Sequence, residues 1–136
     1  MPVRNLYVPN GLFFIHDAKR PKGPEFIDAP FYFNHGCIVV RARHEQEGQC
    51  KVTLEATERL PPLRRPDLVR PIRTQRRRVL VTLVPGNAVM AISVAADVTF
   101  ISIWTDGSFQ SEEVIIGVGG GLTTAKRNLS ASSSRP

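Results

Sequence analysis

The glycine-rich run near the end of the chain is the first stretch whose composition suggests chemistry. The apolar residues Val114, Ile115 and Ile116 lead into Gly117-Val118-Gly119-Gly120-Gly121, and a strand entering a glycine-rich turn is how a dinucleotide-binding unit begins. That motif needs a third glycine where Leu122 stands, and then a helix, a strand and an acidic residue. Only 14 residues follow Leu122, so we predict no nucleotide cofactor and interpret the run as the end of a final strand.

The histidines, cysteines and paired acids do not form a catalytic or metal-binding pattern. His35 and His44 flank one predicted strand, which would hold them about 25–30 Å apart, and His16 has no identifiable partner ligand. Cys37 and Cys50 match neither a zinc spacing nor a Cys-x-x-Cys motif. The side chains of the sequential pair Glu112-Glu113 would diverge on a strand. We therefore predict no metal, no cofactor and no enzymatic activity.

Arginine is concentrated in one segment. The net charge is +6, and eight of the 14 arginines lie between Arg59 and Arg78. Guanidinium groups bind carboxylates and phosphates bidentately, and four prolines within residues 58–77 predict an extended loop without regular structure. We predict that this loop, residues 58–78, contacts an acidic protein partner or a polyanion. The residues predicted to make that contact are Arg64, Arg65, Arg70, Arg73, Arg76, Arg77 and Arg78.

An alternative is that the arginines only keep a long loop soluble. Arginine outnumbers lysine 14 to 4 over the whole chain, which indicates a compositional bias toward arginine. The segment between Arg59 and Arg78 also holds no aromatic residue, so it offers no platform on which single-stranded bases could stack.

Alternating side chains indicate the strands that must position this loop. In residues 37–44 and 50–57 apolar and polar residues alternate with a period of two. A hairpin closed by Gln46-Glu47-Gly48 would place Val40 opposite Leu54 and would put the two cysteines on opposite faces, as free thiols. Residues 78–84, 97–104 and 114–118 also favour strands, and 88–96 favours a strand over a short helix. Asp106-Gly107 predicts a two-residue turn that pairs Trp104 with Phe109.

These elements predict an all-β fold: an antiparallel β-sandwich of jelly-roll or immunoglobulin type, with about eight short strands and the long arginine- and proline-rich loop. Residues 1–118 are predicted to form a single domain, and 119–136 a flexible C-terminal tail. The sequence has neither a secretion signal nor an apolar run long enough for a membrane span. We therefore expect a cytoplasmic protein without membrane contact.

The alternative function is association through the sheet. The nearly uncharged strands 100–104 and 114–118 are predicted edges, through which a structural subunit, a homo-oligomer or a protein resembling an enzyme inhibitor could pair. The strand Gly36-Cys37-Ile38-Val39-Val40 and the strand after Gly48 resemble, in a generic way, those of small β-sandwich inhibitors of competence nucleases. Such inhibitors must meet a surface that binds DNA, for which a chain of charge +6 is an unusual partner, so we neither assign that family nor carry its residues across.

Overall fold

The strands of this protein form two sheets of five strands each. The computed structural model describes residues 2–18, 22–84 and 86–119. The strands are β1 (Val3–Leu6), β2 (Leu12–His16), β3 (Phe31–Phe33), β4 (Cys37–Arg41), β5 (Cys50–Ala56), β6 (Leu68–Arg73), β7 (Arg78–Leu83), β8 (Asn87–Ser93), β9 (Val98–Trp104) and β10 (Glu113–Val118). None of the described segments forms a helix with the length and hydrophobicity that a membrane crossing requires.

The two sheets confirm the predicted all-β fold. Sheet I has the strand order β1-β5-β10-β9-β6, and sheet II has the order β3-β4-β2-β7-β8. Neighbouring strands are antiparallel except for β5 and β10, which run parallel. The region 88–96 is mainly strand, as favoured, because β8 covers Asn87–Ser93.

The core lies between the sheets and is built from the inward side of each alternating pattern. One cluster of buried apolar side chains spans both sheets. Its most deeply buried members include Phe13, Ile15, Ile38, Val40, Val52, Leu54, Ile101, Ile103 and Ile116. Each such side chain stabilises the fold by about 1.5–3 kcal/mol relative to exposure, so this cluster fixes the positions of the loops at both ends of the strands.

The predicted hairpin between β4 and β5 is wrong. The two strands belong to different sheets, and residues 42–49 carry the chain from one sheet to the other. The alternation correctly identified the buried residues, but a period of two specifies a face of a strand and not its partner. Cys37 and Cys50 are both free and buried, as predicted, although the reason is that they lie in separate sheets.

The sequence predicts that the whole proline-rich segment lacks regular structure, and this prediction is wrong. Its second half forms β6, in which Pro71 lies opposite Phe100 of β9. β6 is an edge strand, so the missing amide hydrogen of Pro71 can point away from the sheet without breaking a ladder bond. The arginines of this segment are therefore held by a strand and do not share one open loop.

The turn between β9 and β10 also differs from the prediction. Trp104 pairs with Ile115 and not with Phe109, and residues 105–112 form a longer loop. The Asp106 carboxylate accepts hydrogen bonds from the Ser108 amide at 2.9 Å and from the Ser111 hydroxyl at 2.7 Å, and these local bonds compete with a tight hairpin.

The strand order also contradicts the alternative function, in which strands 100–104 and 114–118 pair with another molecule. β9 and β10 are interior strands of sheet I, whose edges are β1 and β6, while β3 and β8 are the edges of sheet II. The uncharged strands 100–104 and 114–118 were therefore wrongly identified as edges. Their apolar character reflects burial inside a sheet, where neither strand can pair with another molecule.

Two glycines of the glycine-rich run, Gly117 and Gly119, lie within the described residues, and Gly117 is closely packed. A Cβ atom on Gly117 would lie 2.8 Å from the Thr57 hydroxyl oxygen and 3.1 Å from the Trp104 ring, so a larger residue would force one of these side chains to shift. Gly119 follows the last strand with a φ of +76°, a conformation that glycine adopts readily. The predicted tail, apart from Gly119, lies outside the described residues.

Candidate binding surface

The predicted arginine cluster is divided between the two ends of the sandwich. β6 runs antiparallel to β9, with Leu68 opposite Ile103 and Arg73 opposite Val98. Six strand residues span about 17–20 Å. Arg64 and Arg65 therefore lie near one end of the sheet, whereas the arginines after β6 lie at the other.

Arg64 is a structural clamp at the first of these ends. Its guanidinium group donates two hydrogen bonds to the Asp67 carboxylate, at 3.0 and 2.9 Å, and a third to the Thr105 carbonyl. The Trp104 indole in turn donates to the Arg64 carbonyl at 2.6 Å. This bidentate contact with Arg64 lowers the pKa of Asp67 from its usual value. The clamp fastens residues 61–67 against sheet I, which occupies the Arg64 side chain. Arg65 is exposed nearby.

Arg70 closes one side of the sandwich. Its guanidinium carbon lies 4.2 Å from the centroid of the Phe33 ring, which places it between edge strand β6 of sheet I and edge strand β3 of sheet II. A cation over an aromatic face at this distance is attractive. Arg70 is only half-exposed, so it holds the two sheet edges together.

Arg78 is paired with the buried carboxylate of Asp17. The Arg78 Nε atom donates to the Asp17 carbonyl at 2.9 Å and lies 3.6 Å from an Asp17 carboxylate oxygen. The Arg76 amide donates to the other carboxylate oxygen at 2.7 Å. Asp17 thus neutralises Arg78 and fixes the tight connection between β6 and β7, residues 74–77, which we call the arginine turn.

The remaining arginines form the charged surface. Arg73, Arg76 and Arg77 are exposed, and among the described residues no carboxylate lies within ion-pair distance of their side chains. A cleft of about 360 Å³ beside Arg73 is also lined by Lys22 and His35. We call these five residues, Lys22, His35, Arg73, Arg76 and Arg77, the basic end.

Hydrogen bonds hold the segments of the basic end in place. The Asn34 side chain donates to the Lys22 carbonyl and accepts from the Gly36 and Cys37 amides, each at 2.9 Å. The Arg73 amide donates to the His35 carbonyl, also at 2.9 Å. Three separate stretches of chain are thereby joined, so the backbone that carries these side chains is held in place before any partner binds.

Sequence reasoning did not find two features of the surface: two members of the basic end, and a contact outside it. Lys22 and His35 come from segments that have no arginine pattern, and only the tertiary fold brings them to Arg73. A separate group of exposed aromatic side chains, away from the basic end, surrounds Arg41, whose guanidinium carbon lies 4.8 Å from the Phe109 ring centroid and 6.0 Å from that of Phe26. Isolated aromatic residues in loops carried no periodic signal that could have identified this contact.

The other chemical candidates are separated or buried. No group of three or more His, Cys, Asp or Glu residues in the described part of the chain could hold a metal ion. His16 is buried against Thr82, with 2.9 Å between Nε2 and Oγ1, and burial lowers its pKa. Burial raises the pKa of the Cys37 thiol to about 12 and that of Cys50 to about 11. Both cysteines are therefore thiols at neutral pH and weak nucleophiles.

The comparisons with known proteins concern the fold. No family model matches the chain, and no curated protein matches it. Among solved structures, it is similar to ComJ from Bacillus subtilis, described as an inhibitor of the DNA degrading activity of NucA. The TM-score is 0.63 at 9% sequence identity, over 88% of this chain and 95% of that chain. The two chains therefore share the same two-sheet β-fold.

Proposed function

We propose that this chain is a non-enzymatic protein-binding domain that inhibits an enzyme, and that its basic end makes the contact. The observation that carries the proposal is the exposure of Arg73, Arg76 and Arg77, without carboxylate partners among the described residues, on segments that are hydrogen-bonded to one another. Surface arginines that only solubilise a loop do not require such fixed positions.

The partner surface should be acidic. Arginine forms bidentate, directional hydrogen bonds with carboxylates, and it is enriched among the residues that dominate binding energy at protein interfaces. A cluster of one sign of charge also accelerates association with a surface of the opposite sign. Fixed positions reduce the conformational entropy lost on binding.

A nuclease is the first partner to test. The similar fold of ComJ, whose description names an inhibitor of a DNA degrading activity, supports this choice. A net charge of +6 would oppose contact with a basic DNA-binding groove, but nucleases that use divalent metals hold those ions with carboxylates. The basic end could bind such carboxylates and thereby block the metal site.

The test measures plasmid degradation by purified metal-dependent nucleases in the presence of the full chain. The informative variant is Arg73→Ser/Arg76→Ser, and its charge-matched control is Lys51→Ser/Arg65→Ser, at exposed positions on other parts of the surface. We expect the wild type and the control to inhibit equally, and the first variant to inhibit at least about tenfold more weakly.

A gel-shift measurement with the same plasmid separates protein binding from DNA binding. We expect no shift at physiological salt in the absence of the nuclease. A chain that binds the plasmid directly and protects it from every nuclease to the same extent would act through phosphate neutralisation, and the proposed inhibition through protein contact would then be wrong.

A further inference from the structure

An apolar cleft of about 400 Å³ lies beside the arginine turn. It opens where β8 leads into β9 and where β10 ends. Its apolar walls include Val94, Ala95, Ala96, Val98, Phe100 and Val118. Val98 is 50% exposed, so this wall presents apolar surface to solvent, next to the segment that carries the exposed Arg76 and Arg77.

The arginine turn and the wall of the apolar cleft are bonded to each other. The Thr74 amide donates to the Asp97 carbonyl at 2.8 Å, and the Val94 amide donates to the Arg77 carbonyl at 3.0 Å. The Thr74 hydroxyl is buried and donates to the Ala96 carbonyl at 2.7 Å. Because three hydrogen bonds join the two segments, the backbone of the arginine turn and the apolar surface keep a constant relative position.

The backbone of the arginine turn indicates that the Arg77 side chain is not needed for folding. Arg77 has a φ of +59°, in the left-handed region, which costs a non-glycine residue about 1–2 kcal/mol. Glycine would adopt this conformation without that cost. An exposed arginine is therefore less favourable for stability at this position than glycine would be.

We propose that the basic end, together with the apolar cleft, binds an acidic segment of the partner protein that carries one bulky apolar side chain. The apolar side chain occupies the cleft, and the flanking carboxylates bind Arg76 and Arg77. This inference rests on the proposed function and specifies what the partner presents. A cleft of this size lies at the lower end of the range for ligand sites and accommodates a single large side chain.

Charge also limits where the acidic flank of the segment can lie. Glu58 is the one carboxylate among the described residues that line the apolar cleft, and it would repel an acidic flank. The arginine turn is bonded to the wall formed by Val94 and Ala96. Asp97, which is exposed between Ala96 and Val98 of the same wall, would repel the acidic flank as well, so the carboxylates of the segment must lie directly against the arginine side chains of the turn.

The test uses synthetic peptides and the full chain, with binding followed by fluorescence anisotropy. One peptide has a single phenylalanine between runs of aspartate, a second has serine in place of the phenylalanine, and a third keeps the phenylalanine but replaces aspartate by asparagine. We expect the first to bind at least about tenfold more tightly than either of the others, because burying an aromatic side chain contributes on that scale. Val98→Thr, which keeps the shape of the wall but makes it polar, should reduce this preference.

The outcomes distinguish the two proposals. If the two aspartate peptides bind equally well, the basic end recognises charge alone and the role of the cleft is wrong, while the proposed function stands. If Arg73→Ser/Arg76→Ser leaves nuclease inhibition unchanged, the proposed function fails.

Residues 120–136 follow Gly119, which lines the cleft. If only a chain truncated after Gly119 prefers phenylalanine, that segment fills the cleft in the full chain and the inference is wrong.

Discussion

The carboxylate of Asp17 accepts a hydrogen bond from the backbone amide of Arg76 at 2.7 Å, across 59 positions of sequence. Asp17 is only 5% exposed, and the same carboxylate lies 3.6 Å from the Arg78 side chain. A buried carboxylate is tolerated when it is paired and hydrogen-bonded. Asp17 thus connects the end of β2 to the arginine turn and determines where the charges of that turn lie.

Removing this carboxylate should loosen the turn. We expect Asp17→Ala to lower the free energy of unfolding by about 2 kcal/mol, because the Arg76 amide loses a charged hydrogen-bond acceptor and the Arg78 guanidinium group loses its ion-pair partner. Urea denaturation measures the change. Asp17→Asn keeps an acceptor oxygen and should lose less. Equal stability of Asp17→Ala and the wild type would show that the carboxylate does not anchor the turn.

Arg77→Gly should separate stability from binding. Glycine relieves the left-handed strain at Arg77 but adds flexibility to the unfolded chain, so we expect stability to be unchanged or raised by up to about 1 kcal/mol. Nuclease inhibition should weaken because one charge is lost. Arg76→Gly is the matched control: Arg76 is not among the positive-φ residues, so its replacement should lower both stability and inhibition. A loss of stability in Arg77→Gly would contradict this explanation.

Gly117→Ala tests the packing explanation of the glycine run. The added methyl group would meet the Thr57 hydroxyl and the Trp104 ring at 2.8 and 3.1 Å, and overpacking of this kind costs about 1–3 kcal/mol. Trp104 is the sole tryptophan of the chain, so its fluorescence reports the displacement directly. Gly36→Ala is the control, since nothing lies within 4 Å of the Cβ position there, and it should change neither stability nor emission.

The Arg64 clamp predicts a dependence of stability on pH. Its hydrogen bonds lower the pKa of Asp67 in the folded chain, whereas the pKa of an aspartate in the unfolded chain is about 3.9. The stabilisation is therefore complete above that value and is lost as the pH falls through the lowered folded pKa. Wild type should exceed Asp67→Asn in stability at neutral pH, and the difference should shrink below about pH 4. A difference that stays constant down to acidic pH would rule out the ionised clamp.

The sequence identified local features better than long-range ones. The alternation in β4 and β5 correctly named Val40 and Leu54 as buried, because burial on one face of a strand is a local property. It could not show that the two strands belong to different sheets, since the choice between a hairpin and a crossing connection depends on how both sheets pack. Pro71 likewise excludes a central strand but permits an edge strand or a loop. Only the tertiary structure shows that it lies in the edge strand β6.

The candidate site shows the same limit. The count of arginines in residues 58–78 indicated a charged surface, but it treated Arg64, Arg70 and Arg78 as equivalent to Arg73. Their partners, Asp67, Phe33 and Asp17, have no pattern in common, and two of them are distant in sequence. Lys22 and His35 are distant from Arg73 in the sequence, and only the tertiary fold places them beside it. The type of surface was therefore predictable, whereas its membership was not.

The most direct test of the basic end as the binding surface is amide hydrogen exchange of the full chain, measured with and without a nuclease that it inhibits. We expect slower exchange at residues 34–36, in the arginine turn and at 94–97, with no change in the loop 105–112 at the opposite end. Slower exchange confined to 105–112, or to the edge strands β1 and β8, would contradict this expectation.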